Sequence, residues 1–251
     1  MIELRNIYKS FRGTPVLKGL DLDIPKGEIS VIIGPSGSGK TVMLRHIIGL
    51  ARPDRGSVLI DGVDITKLGD DRLGEVRRRF GMLFQSAALF DSLSVYDNVA
   101  FPLIERSRGM PRPDIKGIVR EKLALVGLDG VDDKMPSELS GGMRKRVGLA
   151  RAIVLTPSIM LYDEPTTGLD PIMTLAIDNL ILSMQKELHI TSVVISHDID
   201  SAFRVADQIA MIHDGRIVAS APPDKFRRSE NPVVQAFLRA GDRWNHRGEG
   251  K

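Results

Sequence analysis

The 251-residue chain contains no cysteine. Disulfides, cysteine-ligated zinc, iron–sulfur clusters and a cysteine nucleophile are thereby excluded. No run of about 18 apolar residues occurs, so no membrane-spanning helix is expected. The first residues, Met1-Ile2-Glu3-Leu4-Arg5, lack the long apolar core of a secretory signal. The chain is expected to be soluble unless a partner holds it at a membrane. Aromatics are scarce at 5%, and the formal net charge is only +3. Three basic clusters stand out: Arg77-Arg78-Arg79, Arg144-Lys145-Arg146 and Arg227-Arg228. None has the interleaved aromatics of a single-strand binding groove, so nucleic acid is not an expected partner and the clusters read as solvated helix faces. What is present is a hydrophobic fraction of 42%. Over this length it can bury a full α/β core with an inserted subdomain.

Short apolar runs at Ile29–Gly34, Ser158–Asp163 and Ile190–Ser196 read as buried strands. Ser57–Ile60 enters an Asp61-Gly62 turn, and Asp214-Gly215 joins two strand-like runs, a hairpin signal. Helical patterning covers 41–50, 115–126, 143–155 and 172–188. Strands alternating with helices predict an α/β fold with a parallel sheet and added antiparallel β elements. From about Gln85 to Ser137 the character changes, with Pro102, Pro111, Pro113 and Pro136. This predicts a helical subdomain at about 86–157, inserted in a single domain spanning 1–240. A polar tail, 241–251, is expected to fray. No internal repeat is visible.

Gly34-Pro35-Ser36-Gly37-Ser38-Gly39-Lys40-Thr41 matches G-x-x-x-x-G-K-[ST] between a predicted strand and helix. The glycines let backbone N–H groups point at phosphates, and the helix N-terminus adds a positive dipole end. Lys40 is expected to reach the β- and γ-phosphates of a nucleoside triphosphate and Thr41 to ligate Mg²⁺. Asp163 ends an apolar strand immediately before Glu164. Asp163 suits Mg²⁺, and Glu164 suits a general base for water; the plain alternative is that both cap the turn at Pro165. His197 follows another strand and is placed to meet the γ-phosphate and the attacking water. Ser140 reads as the N-cap of the helix that follows Leu139-Ser140-Gly141-Gly142. The same free N–H groups and dipole make an anion site. That site has no phosphate of its own unless another copy supplies one.

These motifs, in this order, resemble the nucleotide-binding subunit of an ATP-binding-cassette (ABC) transporter over roughly residues 2–240. The resemblance implies a P-loop ATPase core and a head-to-tail dimer. Two ATP molecules would lie between each phosphate loop and the opposing Ser140, Gly141 and Gly142. It also implies that Gln85 senses Mg²⁺ and links the core to the insertion, that Asp170 belongs to a loop crossing the dimer interface, and that Phe11 stacks on adenine. Tyr8, the rival aromatic, sits earlier than the family pattern. Met143 departs from the family's usual glutamine, which puts in doubt only contacts toward the ribose. The segment 84–103 is expected to meet an integral membrane permease at the cytoplasmic face of the inner membrane, with ordinary packing as the alternative.

That segment, Met143 and Leu161-Tyr162-Asp163-Glu164-Pro165 are similar to ATPases of the mammalian-cell-entry (MCE) lipid transporters, including the Mla type that moves phospholipid between bacterial envelope membranes. A membrane-anchored MCE protein and a STAS-domain subunit are the further partners this implies. Val233, Val234, Phe237 and Leu238 suit one face of a C-terminal helix, on its own domain or a neighbour's. Four rivals are carried. A P-loop GTPase would need Asn-Lys-x-Asp, which is missing. A small-molecule kinase would not need Leu-Ser-Gly-Gly. A soluble ABC ATPase of DNA repair or translation usually has a coiled-coil insertion or two cassettes. An ABC ATPase for an amino acid or another small solute differs only in cargo.

Overall fold

The computed structural model describes residues 1–106 and 115–245, with backbone alone for 241–245. Two strands open the chain, β1 (Ile2–Phe11) and β2 (Thr14–Ile24). β3 (Ile29–Ile33) runs through the glycine loop into α1 (Lys40–Ile47). β4 (Arg55–Ile60) and β5 (Val63–Asp64) precede α2 (Asp70–Arg77) and β6 (Phe80–Leu83). Three helices follow: α3 (Val95–Arg106), α4 (Ile115–Leu125) and α5 (Gly141–Ile153). The chain returns through β7 (Ile159–Asp163), α6 (Pro171–Leu188), β8 (Thr191–Ile195) and α7 (Ile199–Val205). It ends with β9 (Gln208–His213), β10 (Arg216–Ala221), α8 (Pro223–Arg227) and α9 (Pro232–Asn245).

The strands form two sheets. One is antiparallel with order β2-β1-β4-β5; the other has order β10-β9-β3-β8-β7-β6. In the second sheet β9, β3, β8, β7 and β6 are parallel, and β10 adds an antiparallel edge. The β9–β10 turn puts Asp214 and Gly215 at positive φ (48° and 73°), as a two-residue hairpin turn requires.

The parallel strands are apolar throughout because both faces are covered. Alternate residues point to opposite sides, and the two cores divide accordingly. Ile29, Val31, Ile33, Met160, Tyr162, Val194, Ile209 and Met211 join the helices on one side. Ile32, Ile159, Leu161, Val193, Ile195, Ala210 and Ile212 face the antiparallel sheet and α1 on the other. Between the adjacent strands β6 and β7 the chain leaves the sheet and builds α3, α4 and α5, which pack through Val99, Leu103, Val119, Leu123 and Val147.

Several expectations are revised. Of the basic clusters, Arg77 donates to Gly49 O at 2.6 Å and Arg79 pairs with Asp61. Arg227 stacks on Phe203 with its guanidinium carbon 4.5 Å from the ring centre, and Lys145 is buried. Arg77 and Arg79, half-buried, and Arg227, exposed, tie elements together, and Lys145 does not face solvent. Helix α9 continues to Asn245, so the first part of the expected tail, 241–245, is helical backbone. Residues 246–251, Pro111 and Pro113 lie outside the described residues.

Candidate nucleotide and catalytic site

Because five strands run parallel, their carboxyl ends share one edge of the sheet, where open α/β sheets bind ligands. The glycine loop follows β3, Gln85 follows β6, Asp163 ends β7 with Glu164 next, and His197 follows β8. The topology therefore gathers residues separated by more than a hundred positions.

The loop owes its shape to glycine. Gly34 has φ 149°, and an added Cβ would overlap the Ile212 carbonyl oxygen of β9. Gly39 (φ 106°) packs 2.8 Å from Leu17 Cδ2 by the same measure. It stands at the N-cap of α1 with no side-chain cap. Helix-start N–H groups without a capping side chain suit phosphate oxygens. Lys40 is 7% exposed, and its Nζ donates to Gly34 O (2.7 Å) and Pro35 O (2.9 Å). Burial pushes its pKa down, opposed by the negative charges of Glu164 and Asp163.

Thr41 Oγ1 lies 3.4 Å from Asp163 Oδ1. Burial, with Glu164 beside it, pushes the Asp163 carboxyl up, and the Thr41 hydroxyl opposes this. Among the described residues no cluster of three or more His, Asp or Glu could enclose a metal. The pair Thr41–Asp163 suits a cation that keeps waters and takes the rest of its ligands from phosphates, which is the habit of Mg²⁺.

Glu164 occupies the left-handed region at φ 50°. Its N–H donates to Ile195 O at 3.0 Å. Its Oε2 accepts from Thr167 Oγ1 at 2.9 Å and lies 3.3 Å from His197 Nδ1. The His197 side chain is 57% exposed, so its other ring nitrogen is free to meet a ligand. α7, which follows His197, is capped by Asp198 through Ser201 N–H (3.0 Å). Asp178 of α6, fully buried, anchors it by accepting from Ser201 Oγ (2.7 Å) and pairing with Arg204.

The second glycine segment does not join this cluster. Ser140 caps α5, its Oγ accepting from Met143 N–H at 3.3 Å. Ser140 and Gly141 are exposed, while Gly142 is buried, where an added Cβ would overlap Met173 Cε. Met143 packs half-buried against the helical core, an apolar role that glutamine would fill poorly. Asp170 is exposed and caps α6 by accepting from Met173 N–H at 2.9 Å. The starts of α5 and α6 thus lie together at the surface, without a hydrogen bond to the glycine loop.

Phe11 lies at the β1–β2 hairpin end, 46% exposed, with Lys9 Nζ 5.7 Å from its ring centre. Tyr8 is 37% exposed, but its ring meets Gly19 and Arg55 on the antiparallel sheet. Gln85 is exposed, and its carbonyl accepts from Lys145, a contact the sequence reading missed. Beyond it Asn98, fully buried, donates to Phe90 O, Leu93 O and Ser94 O and accepts from Phe90 N–H. It thereby shapes a surface that exposes Phe84, Phe90, Phe101 and Ile104.

A glycine loop between a strand and a helix, with an acidic strand end opposite its Lys and Thr, defines a P-loop nucleoside triphosphatase. The ABC transporter family profile matches residues 17–167, and the chain belongs to that family. It is 46% identical over 237 residues to the probable ribonucleotide transport ATP-binding protein mkl of Mycobacterium leprae, covering 94% of this chain and 68% of that one. It is 43% identical over 239 residues to the intermembrane phospholipid transport system ATP-binding protein MlaF of Haemophilus influenzae, covering 95% and 90%. A solved dimeric ATP-binding cassette in a post-hydrolysis state, bound to ADP and Pi, matches with TM-score 0.81 and 35% identity over 89% of this chain and 99% of that one. The protein is an ATPase subunit of an ABC transporter. Among its described residues no helix is long and apolar enough to cross a membrane.

Proposed function

We propose that two copies of the chain close head-to-tail on two ATP molecules to drive phospholipid movement through a membrane permease. The observation that carries the chemistry is Glu164, held between Thr167 and His197 beside Asp163 and facing the same sheet edge as Lys40. Gly34, Pro35, Ser36, Gly37, Ser38 and Gly39 wrap the phosphates. Lys40 leaves its loop carbonyls for the β- and γ-oxygens. Phe11 stacks on adenine. Thr41, Asp163 and Gln85 hold Mg²⁺, which when bound neutralises charge developing on the phosphate oxygens. Glu164 takes a proton from water as its oxygen attacks the γ-phosphorus, and the bond to the β–γ bridging oxygen breaks, leaving ADP. His197 orients that water and the γ-phosphate.

Ser140, Gly141 and Gly142 present the start of α5 to the partner's γ-phosphate, and Asp170 sits beside them at the same interface. Closure is favoured because ATP contacts both chains, and loss of those contacts on hydrolysis lets the dimer open; a ligand drives such a switch only through its differential affinity for the two states. The exposed Phe84, Phe90, Phe101 and Ile104, with Phe90 and Phe101 rings 4.9 Å apart, suit a short permease helix in a groove. In this reading the chain works at the cytoplasmic face of the inner membrane. The Haemophilus relative's name and its coverage favour phospholipid as cargo, and the mycobacterial relative's name makes a ribonucleotide the second reading. An MCE protein and a STAS-domain subunit are the further partners that the motif resemblance to MCE-type ATPases supports. Purifying the intact complex and identifying its bound subunits and lipids separates the two. Glu164→Gln should retain ATP binding, trap the closed dimer and lower kcat by about 10²–10⁴-fold, the usual contribution of a general base. Wild-type turnover in that variant would remove Glu164 from this role.

A further inference from the structure

Lys145 lies in the middle of α5 and is 5% exposed. Burying an ammonium is strongly unfavourable unless its N–H groups find partners. Its Nζ donates to the main-chain carbonyls of Gln85 and of Glu164, the latter at 3.3 Å. It makes no ion pair among the described residues. Glu164 and Asp163 favour its charge only through space, against the larger opposing effect of burial.

The two carbonyls belong to segments that have just left neighbouring strands. β6 and β7 pair in register as far as Leu83 and Tyr162, and Gln85 and Glu164 each lie two residues further on. Where the backbone ladder stops, Lys145 takes the place of the next rung. Glu164 has special need of it. A residue with a Cβ holds a left-handed conformation only where its surroundings over-determine it. The Glu164 N–H is held by β8, through Ile195 O. Its carbonyl accepts from Thr167 N–H at 3.3 Å within its own turn and, from α5, from Lys145, the contact that ties it to another element.

We propose that Lys145 is a positioning residue for ATP hydrolysis. It fixes the backbone of Glu164, and so the aim of that carboxylate, and ties it to the start of the loop at Gln85. The inference rests on Glu164 being the general base, as read above. It gives α5 two tasks. Its N-terminus at Ser140 faces the partner's nucleotide, and five residues on it holds the chain's own base. Arg151, near the end of α5, extends the hold by donating to Ala87 O at 2.8 Å in the same loop. A shift of α5 on dimer closure therefore reaches Glu164 and the permease-facing surface together.

The test uses the full-length protein, with steady-state ATPase activity and equilibrium ATP binding as readouts. Lys145→Met removes the donors and keeps the unbranched stem; Lys145→Arg keeps a cationic donor. Lys145→Met should lower kcat at least about tenfold while ATP affinity stays within about twofold of wild type, and Lys145→Arg should recover part of the loss. Groups acting as one unit are non-additive, so adding Lys145→Met to Glu164→Gln should lower kcat no further. A kcat within twofold of wild type, weakened ATP binding at unchanged kcat, or a fully multiplicative loss in the double variant overturns the inference. Should Lys145→Met fail to fold, as judged by circular dichroism and its thermal transition, Lys145→Gln carries the same test with the same limits. Wild-type turnover in Glu164→Gln alone would instead remove the general-base reading. An inert Lys145→Met beside an inactive Glu164→Gln removes only the present inference.

Discussion

Lys40 and Lys145 are both buried, and each donates to two main-chain carbonyls. Burial lowers the pKa of both, and the same two carboxylates, Glu164 and Asp163, oppose it. They differ in where their acceptors lie. Lys40 binds carbonyls six and five residues back in its own loop, whereas Lys145 binds carbonyls 60 and 19 residues away. A local pairing can be exchanged for phosphate oxygens without disturbing other elements. A long-range pairing is part of how α5, β6 and β7 fit together. In the proposed mechanism the first lysine changes partners and the second keeps them. In the function proposed above, the walls that carry them divide in the same way: the glycine loop wraps the chain's own ATP, and the start of α5 meets the partner's.

The most forceful way to break that comparison is to block the second wall. Ser140→Arg removes the α5 cap and fills the space a partner's γ-phosphate would need. Loss of donors aimed at a reacting oxygen typically costs about 10²–10³-fold in rate, so turnover should fall at least that far. ATP affinity of the single chain should stay within about twofold, because Ser140 shares no hydrogen bond with the glycine loop. Turnover surviving in the intact complex would mean that this wall is only a helix cap.

A smaller effect separates the lysines. Lys40→Met should weaken ATP binding by about 10- to 150-fold, since hydrogen bonds to charged groups contribute about 1.5–3 kcal/mol. Lys145→Met should leave that affinity almost unchanged. Isothermal titration with a non-hydrolysed ATP analogue reads both. Equal losses would erase the distinction between a ligand-facing and an architectural lysine.

Much of this was legible in the sequence. The strands β3, β7 and β8 announced themselves as apolar runs because helices cover one face and a second sheet the other, and β9 was legible through the hairpin turn at Asp214-Gly215. The phosphate loop was legible because its backbone needs glycine. β1 and β2 were missed. Their register shifts near Asn6 and Ser10 break the alternation that would mark strands. α3 was hidden by Pro102, which it carries inside the helix. Lys145 was hidden by its neighbours, since a run of three basic residues looks like a solvated face. A signal was nevertheless there. Gly142, Lys145, Leu149 and Ile153 are spaced three, four and four apart, the stripe of a buried helix face, and all four are buried. A lysine on that stripe demands acceptors, and only the three-dimensional arrangement of β6 and β7 shows which.

The finest distinction between the two walls is in their glycines. At Gly34 an added methyl group would overlap a main-chain oxygen, Ile212 O, at a φ of 149° that other residues rarely adopt. That position can yield only if β9 moves. At Gly142 the overlap is with Met173 Cε, the far end of a flexible side chain on α6, and the glycine has helical backbone. Overpacking costs about 1–3 kcal/mol, while alanine recovers about 1 kcal/mol of helix propensity. Gly142→Ala should therefore cost about 1 kcal/mol, a drop of about 2–4 °C in Tm for a chain of this size. Trimming the obstacle with Met173→Ala should make the added methyl group neutral or stabilising, so that the double variant melts no lower than Met173→Ala alone. A larger loss in Gly142→Ala that Met173→Ala fails to relieve would mean that the backbone, as at Gly34, sets the limit on both walls.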